Sequence, residues 1–231
     1  MAAENPKTIL VTGGAGHVGS HVIEQLVAAD ETSYVISLDN YFNGSQANHI
    51  EGAEYREGHT GSIDELVPET PDVVFHLGEY ARVASSFEDA KLVHEMNTLG
   101  TFAVVQFCLE RGVKLVYAAS STKFAAEGDG RHQSPYALSK AANVDLINDY
   151  GKWFGLDHAI CYFYNAFGPR ENGSGRHATL IAKFQEQYLA GEPFTVVTPG
   201  TQKRNFTYVG DLARGIIQVG EKGQGDGYAL N

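Results

Sequence analysis

The sequence predicts an α/β fold: a doubly wound parallel sheet followed by a small C-terminal lobe. Three observations carry that prediction. Short β-rich runs alternate with amphipathic helical stretches from Thr8 to Tyr164, a glycine turn joins the first run to the first helix, and the polar residues gather where the runs end. Alternating strands and helices build a parallel sheet covered on both faces, and ligands of such sheets sit beyond the carboxyl ends of the strands.

Thr8-Ile9-Leu10-Val11-Thr12 is the first strand. Gly13-Gly14-Ala15-Gly16-His17-Val18-Gly19 follows, and then Val22, Ile23, Leu26 and Val27 at helical spacing. Glycines permit a tight turn and close backbone approach to a pyrophosphate, whose charge the helix N-terminus favours. The spacing, Gly13-x-x-Gly16-x-x-Gly19, differs from the commonest Gly-x-Gly-x-x-Gly pattern. Ser33 to Leu38 is a second strand ending at Asp39-Asn40. A carboxylate about 20 residues past the glycines suits a ribose 2′-hydroxyl and repels a 2′-phosphate, which favours NAD over NADP. Asn43-Gly44-Ser45 is a turn.

Glu54 to Thr60 is a third strand with its exit, and Pro71 to Leu77 a fourth, whose His76 satisfies local hydrogen bonds. A long helix carries Leu92, Met96, Leu99 and Val104 on its apolar faces and Asn97 inside it. Val113 to Ala119 is the fifth strand, running into Ser120-Ser121-Thr122. Glu127-Gly128-Asp129 reads as a solvated turn.

Ser134-Pro135-Tyr136-Ala137-Leu138-Ser139-Lys140 opens the next helix, with Ser134 as its cap, Pro135 in its first turn and Gly155 as its stop. Tyr136 and Lys140, four residues apart, share one face of that helix. An ammonium beside a phenol favours the phenolate, so the tyrosine can serve as a base nearer neutral pH. Ala159 to Tyr164 is the sixth strand. Beyond Asn165 the composition changes: Gly168-Pro169-Arg170 breaks the pattern, Asn172 to Gly175 is a loop, and Thr179 to Gly191 is a helix. Phe194 to Val197 and Arg204 to Val209 read as short strands, followed by a helix from Asp211 to Val219.

Composition narrows the function classes. The chain has 231 residues, 43% hydrophobic and 19% charged, ordinary for a globular protein. A formal charge of −11 argues against a nucleic-acid surface. No apolar run is long enough to span a bilayer, and the first residues lack the layout of a signal peptide. Cys108 and Cys161 sit in apolar contexts and read as buried thiols in a reducing, cytoplasmic setting, with no metal site among them.

Taken together, the ordered pieces resemble the extended short-chain dehydrogenases/reductases, and among them the NAD-dependent nucleotide-sugar epimerase/dehydratase family of UDP-glucose 4-epimerase type. The pieces are Val11 to Gly19, Leu38-Asp39-Asn40, His76-Leu77-Gly78, Asn97 to Thr101, Ala119 to Thr122, Ser134 to Lys140, Tyr164 to Arg170 and Arg204 to Leu212. The resemblance implies a Rossmann-type fold, with residues 1–165 as the NAD-binding domain and 166–231 as a partial substrate-binding lobe interleaved with the sheet.

It also implies roles. Gly13, Gly16, His17, Val18 and Gly19 would hold the pyrophosphate of NAD; Asp39 and Asn40 would hold its adenosine ribose, and Asn43 would also touch the cofactor. His59 and Thr60 stand where the family has an Asp beside the adenine. Leu77, Gly78, Ala81, Asn97, Ala118 and Tyr164 would line the cofactor. Ser120, Tyr136 and Lys140 would form the catalytic trio, with Tyr136 and Lys140 also touching the cofactor. Ser120, Ser121, Asn165, Leu180 and Arg204 would face the substrate, a UDP-sugar by family frequency. Tyr136 would take the proton of a sugar hydroxyl, most simply at C4, as the hydride passes to NAD, giving a transient 4-keto sugar.

Three departures shape the expectation. Dehydratases carry Asp-Glu just after the hydroxyl residue and decarboxylases usually a Glu, whereas this chain has Ser121 and Thr122 there, which favours a 4-epimerase over another redox-first sugar enzyme; the intact Ser120, Tyr136 and Lys140 argue against a silent NAD-binding protein. Glu79 and Lys123 replace a small and an apolar residue. Tyr228 to Asn231 looks like a family strand at which the last lobe would begin. The two long helices, Leu92 to Glu110 and Tyr136 to Phe154, would form a homodimer's four-helix bundle.

Overall fold

Every β-rich run before Asn165 takes its place in one sheet. The computed structural model describes residues 6–124, 130–173 and 175–230. The strands are β1 (Thr8–Thr12), β2 (Tyr34–Asp39), β3 (Ala53–Glu57), β4 (Val73–His76), β5 (Lys114–Ser120), β6 (His158–Phe163), β7 (Asn165–Phe167), β8 (Phe206–Tyr208) and β9 (Gly225–Leu230). Seven form a sheet in the order β3-β2-β1-β4-β5-β6-β9, parallel throughout, while β7 and β8 pair apart from it. The direction of winding reverses between β1 and β4, and ligands of open α/β sheets bind at that reversal.

The period of two along the strands divides the core. On β1, Ile9 and Val11 face α1 (His17–Ala29) and α7 (Val209–Lys222), where Val22, Ile23, Leu26, Leu212 and Ile216 are buried. Leu10 turns to the other face, which holds Val104 and Phe107 of α4 (Gly100–Arg111) and Val144 and Ile147 of α5 (Pro135–Phe154). Replacing Leu10, which is wholly buried, by alanine would cost about 2–5 kcal/mol through lost transfer energy and the cavity left behind. The remaining helices are α2 (Ile63–Leu66), α3 (Ala90–Val93) and α6 (Leu180–Ala190).

Local signals place the helix ends. The Ser134 side chain accepts from the Ala137 N–H at 3.0 Å, Pro135 occupies the first turn of α5, and Gly155 ends it in the left-handed conformation at φ 74°. The long helix expected from Leu92 is one continuous stack from α3 to α4 with a π-helical stretch, His94–Leu99, between them. Helix α7 sits against α1, tied by Gln25 donating to the Gly210 carbonyl at 2.7 Å.

The strand expected at Phe194 to Val197 does not form. Its β-branched residues have no neighbouring strand among the described residues, and strand preference without a partner edge has little force. Instead the Thr195 N–H is taken by the Gln187 side chain at 3.2 Å, the Phe194 ring rests on Phe184, and Val197 is 74% exposed. The turn expected at Glu127-Gly128-Asp129 and the Lys123 side chain lie outside the described residues. Cys108 and Cys161 are buried free thiols, both pushed up by burial, Cys161 to about 12. Among the described residues no helix is long and apolar enough to cross a membrane.

Candidate active site

A cavity of about 470 Å³ opens at the carboxyl ends of β1, β4, β5 and β6. At one end lies the glycine turn. Gly13 has φ +74°, and a Cβ there would come within 2.8 Å of the Gly78 backbone; a Cβ on Gly19 would lie 2.1 Å from the Gly13 carbonyl oxygen. Only glycines let β1, the β4 exit and the start of α1 close on one another this tightly. Gly16 caps α1 without any side-chain hydrogen bond, which leaves the first N–H groups of the helix open to an anion. The Nε2 of His17 and the Nη1 of Arg170 are buried with no hydrogen-bond partner among the described residues. Burial, then the nearby His21, Arg82 and Arg170, hold His17 down at about 4. An uncapped helix start, an orphaned imidazole nitrogen and a guanidinium fit a pyrophosphate.

Asp39 closes the second strand beside this turn. Its carboxylate accepts from the Ala15 N–H at 2.9 Å and the Tyr41 N–H at 2.8 Å, while burial raises its carboxyl above the ordinary value against those two bonds. A smaller cleft beyond Asp39 is lined by Gly13, Asn40, Gly78, His59 and Thr60, so the residues expected at the adenosine end do meet. His59 uses Nδ1 to accept from the Gly61 N–H at 3.0 Å, which caps the turn it begins.

At the other end of the main cavity stand Ser120, Tyr136 and Lys140, with Ser121, Thr122, Tyr164, Asn165 and Leu180 around them. Asn43, Leu77, Ala81 and Ala118 line the same space, between the trio and the glycine turn. The hydroxyl oxygen of Ser120 accepts from the Thr122 hydroxyl at 3.1 Å, leaving its own proton free to donate outward. Lys140 pairs with the carboxylate of Glu79 and donates to the Ala118 carbonyl at 2.6 Å.

Two expected site residues are elsewhere. Asn97 is fully buried and lines neither space: its side chain accepts from the Tyr80 N–H at 2.7 Å and donates to the Tyr80 carbonyl and the Ser139 hydroxyl, both at 3.0 Å. It fastens the β4 exit loop to α5 from the π-helical stretch. Arg204 is exposed and donates to the neighbouring Lys203 carbonyl at 3.0 Å; the segment before β8 has no regular structure to aim it at the cavity. Phe206, two residues on, does reach the lining.

Sequence reading also missed Arg82. Arg82 lines the cavity and donates to the His177 carbonyl at 2.7 Å; burial lowers its guanidinium from the ordinary value. Its signal was an arginine six residues past the end of β4. His76 bridges the hydroxyls of Thr12 at 2.7 Å and Thr101 at 2.9 Å, and burial holds it down at about 4. Thr101 donates to Glu79, so its oxygen takes the proton of His76 Nε2, and Nδ1 accepts from Thr12. We assign the neutral Nε2–H tautomer on that basis.

Known proteins with this arrangement share one family. Residues 9–230 match the NAD dependent epimerase/dehydratase family. The chain is 30% identical over 233 residues to UDP-glucuronic acid decarboxylase 6 of Arabidopsis thaliana, covering 94% of itself and 66% of that protein, so it spans about two thirds of such relatives. The UDP-glucose 4-epimerase of Thermus thermophilus, solved as a complex with NAD, is 32% identical with a TM-score of 0.85 over 97% of this chain and 77% of that one. DesIV of Streptomyces venezuelae, a dTDP-glucose 4,6-dehydratase solved with NAD, is 27% identical with a TM-score of 0.86 over 96% and 75%. With the glycine turn, the Asp39 carboxylate at the end of β2 and Ser120, Tyr136 and Lys140 in one cavity, the chain belongs to the NAD-dependent epimerase/dehydratase family of nucleotide-sugar enzymes, and NAD is the cofactor of that family.

Proposed function

We propose that the chain is a nucleotide-sugar 4-epimerase acting on a UDP-sugar, with Tyr136 as the base. The observation that carries this reading is the company around Ser120. Ser120, Tyr136 and Lys140 share one cavity with the glycine turn, and the two positions after Ser120 that line it, Ser121 and Thr122, bear hydroxyls. Oxidising and reducing one sugar carbon needs a single base and a hydrogen-bond donor. Eliminating water needs a further acid and base, and hydroxyls are poor at either task at neutral pH.

Gly13, Gly16, Gly19 and the α1 start would hold the pyrophosphate, Asp39 the adenosine ribose, and Lys140 the nicotinamide ribose. When bound, NAD accepts a hydride from the sugar carbon and returns it to the opposite face. Tyr136 takes the proton from the hydroxyl on that carbon and gives it back after the sugar has turned over. Ser120 donates to the same oxygen throughout, steadying the charge that builds as the proton leaves. Tyr164, at the exit of β6, would flank the nicotinamide, and Asn165 and Leu180 would face the sugar diphosphate. Residues 1–165 would serve as the NAD-binding unit and 166–231 as the substrate lobe.

We also propose a homodimer in a reducing, cytoplasmic setting. Leu99, Phe102, Trp153 and Phe154 are exposed along the paired α4 and α5 surface, and Tyr150 packs edge-on against Phe102 and Phe154. That leaves an aromatic end open to a second copy.

Incubation with a panel of UDP-sugars, followed by product separation and absorbance of bound cofactor, tests the reaction. The C4 epimer should form without added NAD and without lasting NADH. Release of carbon dioxide from a UDP-uronate, or loss of water, would assign the chain to the decarboxylases or the dehydratases. Stoichiometric NADH with no new sugar would remove the epimerase reading.

A further inference from the structure

Glu79 sits just past β4, at the sheet reversal, with its side chain 1% exposed. Four side chains from three other elements converge on its carboxylate. Thr101 of α4 donates at 2.9 Å, Tyr117 of β5 at 3.2 Å, Asn143 of α5 at 2.9 Å, and the Lys140 ammonium closes an ion pair. Lys140, 8% exposed at its side chain, has three N–H donors. One goes to Glu79 and one to the Ala118 carbonyl, which leaves one for the cavity that both residues line.

The groups facing Tyr136 and Lys140 come from every packed element: His76, Glu79 and Arg82 from β4 and its exit, Tyr117 and Ser120 from β5, Thr101 from α4, Ser139 and Asn143 from α5, and Tyr164 after β6. Burial keeps His76 neutral and Tyr117 protonated at neutral pH. The ionised groups in the buried network are therefore one carboxylate and one ammonium, with Arg82 a cation at the cavity wall.

We propose that Glu79 is a positioning residue: its carboxylate holds the Lys140 ammonium against Ala118 and cancels most of its charge on the cavity side where Tyr136 stands. The effect on Tyr136 rests on the proposed reaction; the pairing of Glu79 with Lys140 does not. In a poorly solvated site an opposite charge within a few ångströms changes the field felt by a third group strongly. Glutamine at this position removes the charge and one of the two acceptor oxygens: its carbonyl can still accept from Thr101, Tyr117 and Asn143, and its amide N–H groups then face Lys140.

The test uses the whole chain as Glu79→Gln, Lys140→Met and the double variant. Thermal unfolding reads the pairing: Lys140→Met strands a buried carboxylate, and the double variant should recover more than half of the lost melting temperature. Additive losses would overturn the pairing. Tyrosine-labelled NMR titration of the NAD-loaded chain, with the Tyr136 signal assigned by Tyr136→Phe, reads the charge. In Glu79→Gln the Tyr136 midpoint should fall by about one pH unit. An unchanged or raised midpoint would overturn the charge-cancelling role. Neither readout needs turnover, so a failure of the epimerase reading would appear separately, as no C4 epimer formed from the UDP-sugar panel.

Discussion

The two sides of the cavity are built differently. On the sheet side, Glu79, Lys140, Thr101, Asn143 and His76 are buried and bonded to one another across β4 and its exit, α4 and α5. On the lobe side, each ion pair has at least one exposed partner: Arg176 with Glu88 and Asp89, and the half-buried Arg170 with the exposed Glu24 at 2.5 Å. Buried polar networks in low dielectric fix geometry, whereas exposed ion pairs are screened and contribute little. The side that would do chemistry on a hydroxyl is thus rigidly organised. The side that would choose the sugar is held loosely enough to vary.

Substitutions should separate these sides by the size of their effects. Tyr136→Phe should lower turnover by about 10³-fold while NAD affinity, read by cofactor titration, stays near the parent's; a fall of less than tenfold would deny Tyr136 its role. Gly13→Ala forces a side chain into a left-handed turn against Gly78 and should cost about 3 kcal/mol in denaturant melts, with NAD affinity lost alongside.

The buried imidazole provides a pH test of the sheet side. His76 is held at about 4 against an ordinary 6.5, so the unfolded chain binds its proton first as pH falls. Its contribution to stability is full above the unfolded value, declines below it and levels off under about 4. Between pH 7 and pH 5 the parent should lose about 2 kcal/mol more than His76→Asn. Arg204→Ala, on the lobe side, should leave the melting temperature unchanged and NAD affinity within about twofold. A large loss there would mean the lobe is tied to the cofactor end more tightly than its exposure suggests.

What the sequence revealed divides along the same line. Strand and helix periods survive in any window of the chain, so β1 to β6 and the capped start of α5 could be read directly. The glycine turn was legible because its constraint is local: φ at Gly13, and the approach of Gly13 to Gly19. Glu79 stood out only as an acid in an apolar stretch, since its four partners come from residues 22 to 64 positions away. The bonds of Asn97 are equally non-local: nothing nearby in sequence tells that Tyr80 and Ser139 will take its amide. Phe194 to Val197 failed oppositely, with strong local strand preference and no edge to satisfy it.

The aromatic end of α5 has a practical consequence. Trp153 is the one tryptophan of the chain and is 65% exposed. It lies on the face away from the cavity lining, beside Tyr150 and Phe154. Tryptophan emission, excited selectively over the 12 tyrosines, is consequently a report on that face alone. Its emission colour tracks whether water or another protein surface covers the α5 end, and dilution across a concentration series reads self-association without any label.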